Sequence, residues 1–222
     1  ECAVLPKCNV AEADDVKHMI AVCEEKLGPV AILVNNVGLV CPGDCTSVPL
    51  QKWELINGVN LVGAFNCSKA CVESCLASGV AGSIVNVSSI SALRALRSEI
   101  SYASSKGALN SLTLALSREF AGKKVRCNAI APGIIETPLV HNAFAGQDLE
   151  KVMAARHAQS PTGRMGDAWD IAHAAVYMAS DEARYTNGVV MPVDGSFINQ
   201  VLPHEAGAKL LRPTPRPEPS SF

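Results

Sequence analysis

Between Glu12 and Leu27 the apolar residues Val16, Met19, Ile20, Cys23 and Leu27 fall on one face of a helix, and Gly28-Pro29 stops it. A continuous apolar run, Val30 to Val34, predicts a strand buried on both faces, with Asn35-Asn36-Val37-Gly38 at its end. Pro49 to about Ser78 reads as mostly helix, and Gly82 to Val87 as a second buried strand leading into Ser88-Ser89. A long helix is expected over Tyr102 to Phe120, then a strand over Val125 to Ile130 broken by Pro132-Gly133. Ile134 to about Asp167 is polar and without clear period; Trp169 to Ser180 predicts a helix and Val189 to Val193 a last strand. Ala3 to Leu5 could form one more short strand ahead of the loop at Lys7 to Val10. Strands alternating with helices of crossover length predict an α/β fold, a doubly wound parallel sheet with helices on both faces. One domain is expected over residues 1–202. Pro213, Pro215, Pro217 and Pro219 alternate with polar residues, so residues 203–222 read as an extended, disordered tail.

Composition adds exclusions. The 222 residues are 48% hydrophobic and 18% charged, enough for one sizeable core. A formal net charge of -2 gives no basic excess for nucleic acid or an anionic membrane. No apolar run approaches the roughly 18 residues of a membrane span. Residue 1 is Glu, so the expectation is that the sequence begins inside a longer protein, with any targeting segment out of view. The nine cysteines suit a reduced, cytoplasmic protein that uses Cys as a small apolar residue. Cys67, Cys71 and Cys75 share one helix face, for burial against the sheet or a partner subunit; with no His among them and no CxxC pair, no metal is expected.

The candidate chemistry begins at Tyr102-Ala103-Ser104-Ser105-Lys106. Tyr and Lys four apart stand one above the other on a helix. A cation held near a phenol stabilises the phenolate, and a phenol so tuned can exchange a proton with a carbonyl or alcohol near neutral pH. Ser89 stands thirteen positions earlier, just past a buried strand, where open α/β sheets carry their ligand sites. Its hydroxyl could steady charge on a substrate oxygen. Asn60 lies in a helical stretch that Asn disfavours, which suggests a specific hydrogen bond.

At these residues the chain resembles the short-chain dehydrogenase/reductases in their common single-domain form, from about Asn9 to Gly195. The ordered elements are Asn35-Asn36-Val37-Gly38, Asn60, Ser89, Tyr102 with Lys106, Pro132-Gly133, Thr137 and Asp194-Gly195. The resemblance implies a Rossmann-like sheet and hydride transfer between NAD or NADP and a small carbonyl or secondary alcohol. Tyr102 would be the general acid/base and Ser89 would orient the carbonyl. Lys106 would lower the tyrosine's pKa and bind the ribose, while Asn60 would hold a water that relays protons to it. Cofactor contacts would come from Asn9 and Val10 at the adenine, and from Asn35, Asn36, Val37 and Gly38, the first of which also steady the central sheet. Tyr102, Lys106, Pro132, Gly133, Ile135 and Thr137 would face the nicotinamide side.

Two departures stand out. Val37 replaces the family's Ala, and Asn9 its Asp. The family's Thr-Gly-x-x-x-Gly-x-Gly turn, which carries the pyrophosphate, is found nowhere in the sequence, so an N-terminal truncation without strands 1 and 2 is expected. With it goes the residue that separates NAD from NADP. The alternatives are a cofactor-binding-deficient fragment, a catalytically silent relative acting as an oligomer-forming subunit, and a sugar-nucleotide epimerase, which would want a larger C-terminal domain. Leu93, Leu96 and Ile100 would make one pocket wall partly apolar, and Arg94 and Arg97 read as solvated. A mobile lid is expected after Thr137. The family also implies a homo-dimer or homo-tetramer packed through its two long helices and last strand.

Overall fold

The computed structural model describes residues 7–144 and 146–200. The candidate strand at Ala3 to Leu5 and the tail at 203–222 lie outside the described residues. Four strands form one sheet in the order β1 (Ile32–Asn35), β2 (Gly82–Val87), β3 (Val125–Pro132) and β4 (Val190–Val193). Every pairing is parallel, with Leu33 opposite Ile84 and Ile84 opposite Cys127. Parallel neighbours need long crossovers. Here these are α2 (Leu50–Asn57) with α3 (Ala64–Ser78), then α4 (Ile100–Phe120), then α7 (Ala168–Ala179). Helix α1 (Ala13–Leu27) packs beside α3 and ends at Gly28, whose φ of 84° is the left-handed turn that only glycine enters cheaply.

Successive strand residues point to opposite faces, and the core divides accordingly. Ile84 and Cys127 pack under α3 and α4 with Cys71, Val72, Cys75 and Val125. Val85 and Ile130 face the other way, against Met178 of α7. This is the doubly wound arrangement expected of the sequence. The cysteine face of α3 is buried on the sheet: the Cys71 and Cys75 thiols each lie 3.4 Å from the carbonyl of Val30. Burial pushes the Cys71 thiol up to about 12 and Cys67 to about 11, so both are inert thiols. A Cβ on Gly82 would come within 2.7 Å of Cys75 Sγ, which is why the strand opens on glycine.

Three expectations are corrected. The first strand is buried on one face only: Leu33 packs inward, whereas Ile32 is 56% and Val34 44% exposed. The α7 layer that covers Val85 and Ile130 leaves that face of β1 open. The stretch after Ile134 carries two short helices, α5 (Pro138–Ala143) and α6 (Leu149–His157). The helix holding Asn60 is not uniformly α: between α2 and α3 the backbone widens into a π-helical turn, Gly58–Gly63. Such turns are rare and concentrate at functional sites.

Candidate active site

The carboxyl ends of β1, β2 and β3 open onto one cleft of about 440 Å³. Asn36, Gly38 and Leu39 follow β1; Val87 and Ser89 close β2; Pro132, Gly133 and Ile135 follow β3. A buried polar ladder braces these ends. Asn35 Nδ2 donates to Asn86 Oδ1 at 2.8 Å, and Asn86 Nδ2 to Thr113 Oγ1 of α4 at 2.9 Å. Asn35 also donates to Ser68 Oγ at 3.1 Å, so it serves the sheet, as the motif implied.

Helix α4 brings Tyr102 and Lys106 to the cleft wall. Lys106 is 3% exposed and donates to the carbonyl of Val87 at 2.7 Å. Its amine stands 5.8 Å from the centre of the Tyr102 ring. Burial lowers the lysine to about 8. The tyrosine is shifted opposite to expectation: burial raises its pKa, a hydrogen bond from Ser89 opposes this, and the negative charge of Glu99 adds to the rise. Desolvation of the phenolate is the largest influence, so the protonated phenol is the resting form. Ser89 opens a short 3-10 turn and its Oγ accepts from Ser91 N at 3.1 Å. Ser88 is the structural member of the pair, its Oγ 3.4 Å from the carbonyl of Lys106.

Asn60 is 1% exposed and its amide is committed. Its Oδ1 accepts from Leu39 N at 2.7 Å, while Nδ2 donates to Leu39 O and to Ser105 Oγ, both at 2.9 Å. It clamps the post-β1 loop to α4, which leaves its side chain no donor aimed at Lys106. A Cβ on Gly38 would fall 3.3 Å from Lys106 Nζ and 3.4 Å from Asn60 Oδ1, so glycine lets the loop approach the amine.

Of the other expected residues, Pro132, Gly133, Ile135 and Thr137 line the same cleft. Asn9 and Val10 do not: Asn9 Oδ1 caps the backbone of Ala11, and Val10 packs on Gly63, where a Cβ would sit 2.6 Å from Val10 Cγ2. Val37 is 58% exposed, outside the cleft lining. Leu96 lines the cleft, but Ile100 belongs to a separate pocket with Trp53. Arg94 is no solvated arginine: it donates to the carbonyls of Ile198 at 3.1 Å and Gln200 at 2.8 Å. Among the described residues no cluster of His, Cys, Asp and Glu is arranged to hold a metal ion.

Sequence reasoning missed Glu99 and Arg156 as groups facing the cleft. Glu99 immediately precedes α4 and accepts from Ser91 Oγ at 2.6 Å. Arg156 comes from α6, in the stretch that carries no periodic signal.

A family profile described as enoyl-(acyl carrier protein) reductase matches residues 1–197. A solved short-chain dehydrogenase/reductase from Burkholderia xenovorans is 34% identical, with a TM-score of 0.83 over 88% of this chain and 75% of its own. The chain belongs to the short-chain dehydrogenase/reductase family. It is therefore an NAD(P)-dependent oxidoreductase of small-molecule substrates. Among its relatives in this family is the 3-oxoacyl-[acyl-carrier-protein] reductase of Thermotoga maritima, 32% identical over 86% of this chain and 75% of that protein. The structure of ElxO with NADP bound is 27% identical, with a TM-score of 0.82 over 89% of this chain and 79% of that one. No described helix is long and apolar enough to cross a membrane.

Proposed function

We propose that this chain interconverts a carbonyl and a secondary alcohol, with Tyr102 as the general acid/base. One observation carries the reading: Ser89 from the end of β2 and Tyr102 and Lys106 from α4 line a single cleft at the carboxyl edge of the sheet. NAD or NADP would supply the hydride acceptor or donor. The fit of the cleft to the nicotinamide end rests on backbone brought to its surface at Gly38 and Gly133, beside Asn36, Pro132, Ile135 and Thr137. Asn9, Val10 and Asn35 are not taken as cofactor contacts, because their side chains serve the fold, and Val37 lies outside the cleft lining.

The protein's own part is proton handling. Burial keeps Tyr102 protonated, so in the reductive direction it donates to the carbonyl oxygen as that oxygen gains charge. Ser89 Oγ accepts from Ser91 N, and its hydroxyl proton remains to be donated to Tyr102 or to a substrate oxygen. Lys106 spends one N–H on Val87 O; an ammonium has two more to offer a sugar hydroxyl beside the phenol. Asn60 is a positioning residue, fixing Leu39 and Ser105.

Against the silent-subunit alternative stand Ser89, Tyr102 and Lys106, all present in the cleft. Exposed Val62, Phe65 and Leu76 in the turn and α3, with Leu114 on α4, support assembly as a homo-dimer or homo-tetramer. Buried, unpaired cysteines support a reducing compartment, the cytoplasm. The test is Tyr102→Phe against a panel of ketones and secondary alcohols with both cofactors. Loss of about 10²–10⁴-fold in kcat/KM is expected. Retention of full activity would show that the phenol is not the acid/base.

A further inference from the structure

We propose that Arg156 is a specificity determinant that receives a carboxylate on the substrate. The inference rests on the oxidoreductase reading, since it names the substrate class of that same cleft. Arg156 projects from α6 into the cleft lined by Ser89 and Tyr102. Its guanidinium carbon lies 5.4 Å from the centre of the Phe144 ring. Its Nε is buried and has no hydrogen-bond partner among the described residues. None of the ion pairs among those residues includes Arg156. The Glu99 carboxylate acts on the Arg156 guanidinium through its charge but makes no hydrogen bond to it, so the buried Nε–H stays unpaired at a cost in stability that a ligand oxygen would recover.

The rest of the lining defines what such a ligand looks like. The ionisable groups facing the cleft are Glu99, Tyr102, Lys106 and Arg156. Lys106 is engaged at Val87 O, and Glu99 Oε2 accepts from Ser91 Oγ at 2.6 Å. The remaining walls are apolar at Leu96, Val140, Ile134 and Ile171. The cleft therefore combines a carbonyl-handling pair, apolar walls and the planar fork of Arg156. That fork matches the two oxygens of a carboxylate. The substrate class is an oxo or hydroxy acid whose carboxylate is separated from the reacting carbon by an apolar spacer.

The probes are 5-oxohexanoate and its methyl ester, assayed with NADH and NADPH on the wild type, Arg156→Leu and Arg156→Lys. The quantity read is the acid-to-ester ratio of kcat/KM. A charge-assisted hydrogen bond predicts a ratio of about tenfold or more in the wild type. Arg156→Leu should bring it to about one, with Arg156→Lys between, because the ammonium keeps the charge but loses the fork. If arginine only orders α6, Arg156→Leu will slow acid and ester together and leave the ratio unchanged, which overturns the proposal. Saturation-transfer NMR with hexanoate, which cannot be reduced, is read independently of turnover. A signal in the wild type that is lost in Arg156→Leu supports the carboxylate site even if neither ketone reacts, in which case the reading of these ketones as substrates fails alone. Equal signals, or none in either protein, overturn the carboxylate site.

Discussion

The buried ammonium of Lys106 is tied to the carbonyl of Val87 at 2.7 Å, across the gap between α4 and the end of β2. With only 3% of its surface exposed, the lysine gains this bond at the expense of its hydration, and its pKa falls to about 8. An unfolded lysine titrates near 10.4. Below pH 8 the residue is charged in both states, and the folded state carries the desolvation cost. As pH rises from about 8 to about 10.4 the folded lysine loses its proton first and that cost disappears. The shift corresponds to about 3 kcal/mol, of which the lost bond to Val87 O offsets a part. Lys106→Met is therefore expected to be inactive yet more stable at pH 7, by about 1–2 kcal/mol. Near pH 10.4 the gain should vanish. Thermal denaturation at both pH values measures this, and equal destabilisation at the two would contradict it.

Glu99 and Ser89 act on Tyr102 in opposite senses, after burial as the largest influence. The carboxylate charge raises the phenol's pKa, and the serine hydrogen bond lowers it. Alcohol oxidation needs the deprotonated phenol, so its rate should climb on the alkaline side of neutrality. Glu99→Gln removes a negative charge and should move that rise to lower pH. Ser89→Ala should move it to higher pH, besides slowing the reaction. Profiles of kcat/KM against pH for one alcohol and the three proteins check both directions. Movement of the two variants in the same direction would refute the assignment.

Asn60→Ala would strand the N–H and carbonyl of Leu39 and leave Ser105 Oγ without the amide. An unpaired buried group costs about 1–3 kcal/mol, and the part-buried groups of Leu39 regain some water, so a loss of about 1–3 kcal/mol is expected. Urea unfolding gives the number. A loss under about 0.5 kcal/mol would mean that water replaces the amide without penalty.

Gly133 and Gly107 make a matched pair. A Cβ at Gly133 would lie 2.6 Å from Asp194 Cα, against backbone that cannot swing aside. Gly133→Ala should destabilise by about 1–3 kcal/mol and raise the KM for the cofactor, because it pries apart the ends of β3 and β4. At Gly107, inside α4, the added methyl meets nothing within 4 Å. Gly107→Ala should stabilise by about 0.5–1 kcal/mol. Calorimetric melts of the two variants compare them directly.

Much of this was legible in the sequence because helix and strand periods are local. Tyr102 and Lys106 share a face by spacing alone, and Ser89 follows from where a buried strand must end. The cysteine stripe was legible for the same reason, although only the structure assigns its burial to Val30 and the sheet. The one-sided burial of β1 was not, since an apolar run reads alike whether one face or two is covered. The partners of Asn60 were hidden because they are chiefly the backbone of Leu39, which leaves no trace in residue type. Arg156 was hidden because α6 has no apolar stripe to announce it. Glu99 was overlooked because its effect on Tyr102 is electrostatic, not compositional.

Leu50 to Ser78 is one continuous rod with a widened turn at Gly58–Gly63. A helix advances by about 100° per residue, so the number of residues in that turn sets the azimuth of α3 relative to α2. Removing one residue would swing Cys67, Cys71 and Cys75 by more than a quarter turn off the sheet if Asn60 stayed locked to Leu39. If the cysteines stayed seated, Asn60 would be the one to rotate away. The widened turn is thus the phase reference of the molecule, where a single residue count synchronises the loop beside the lysine with the packing of the core.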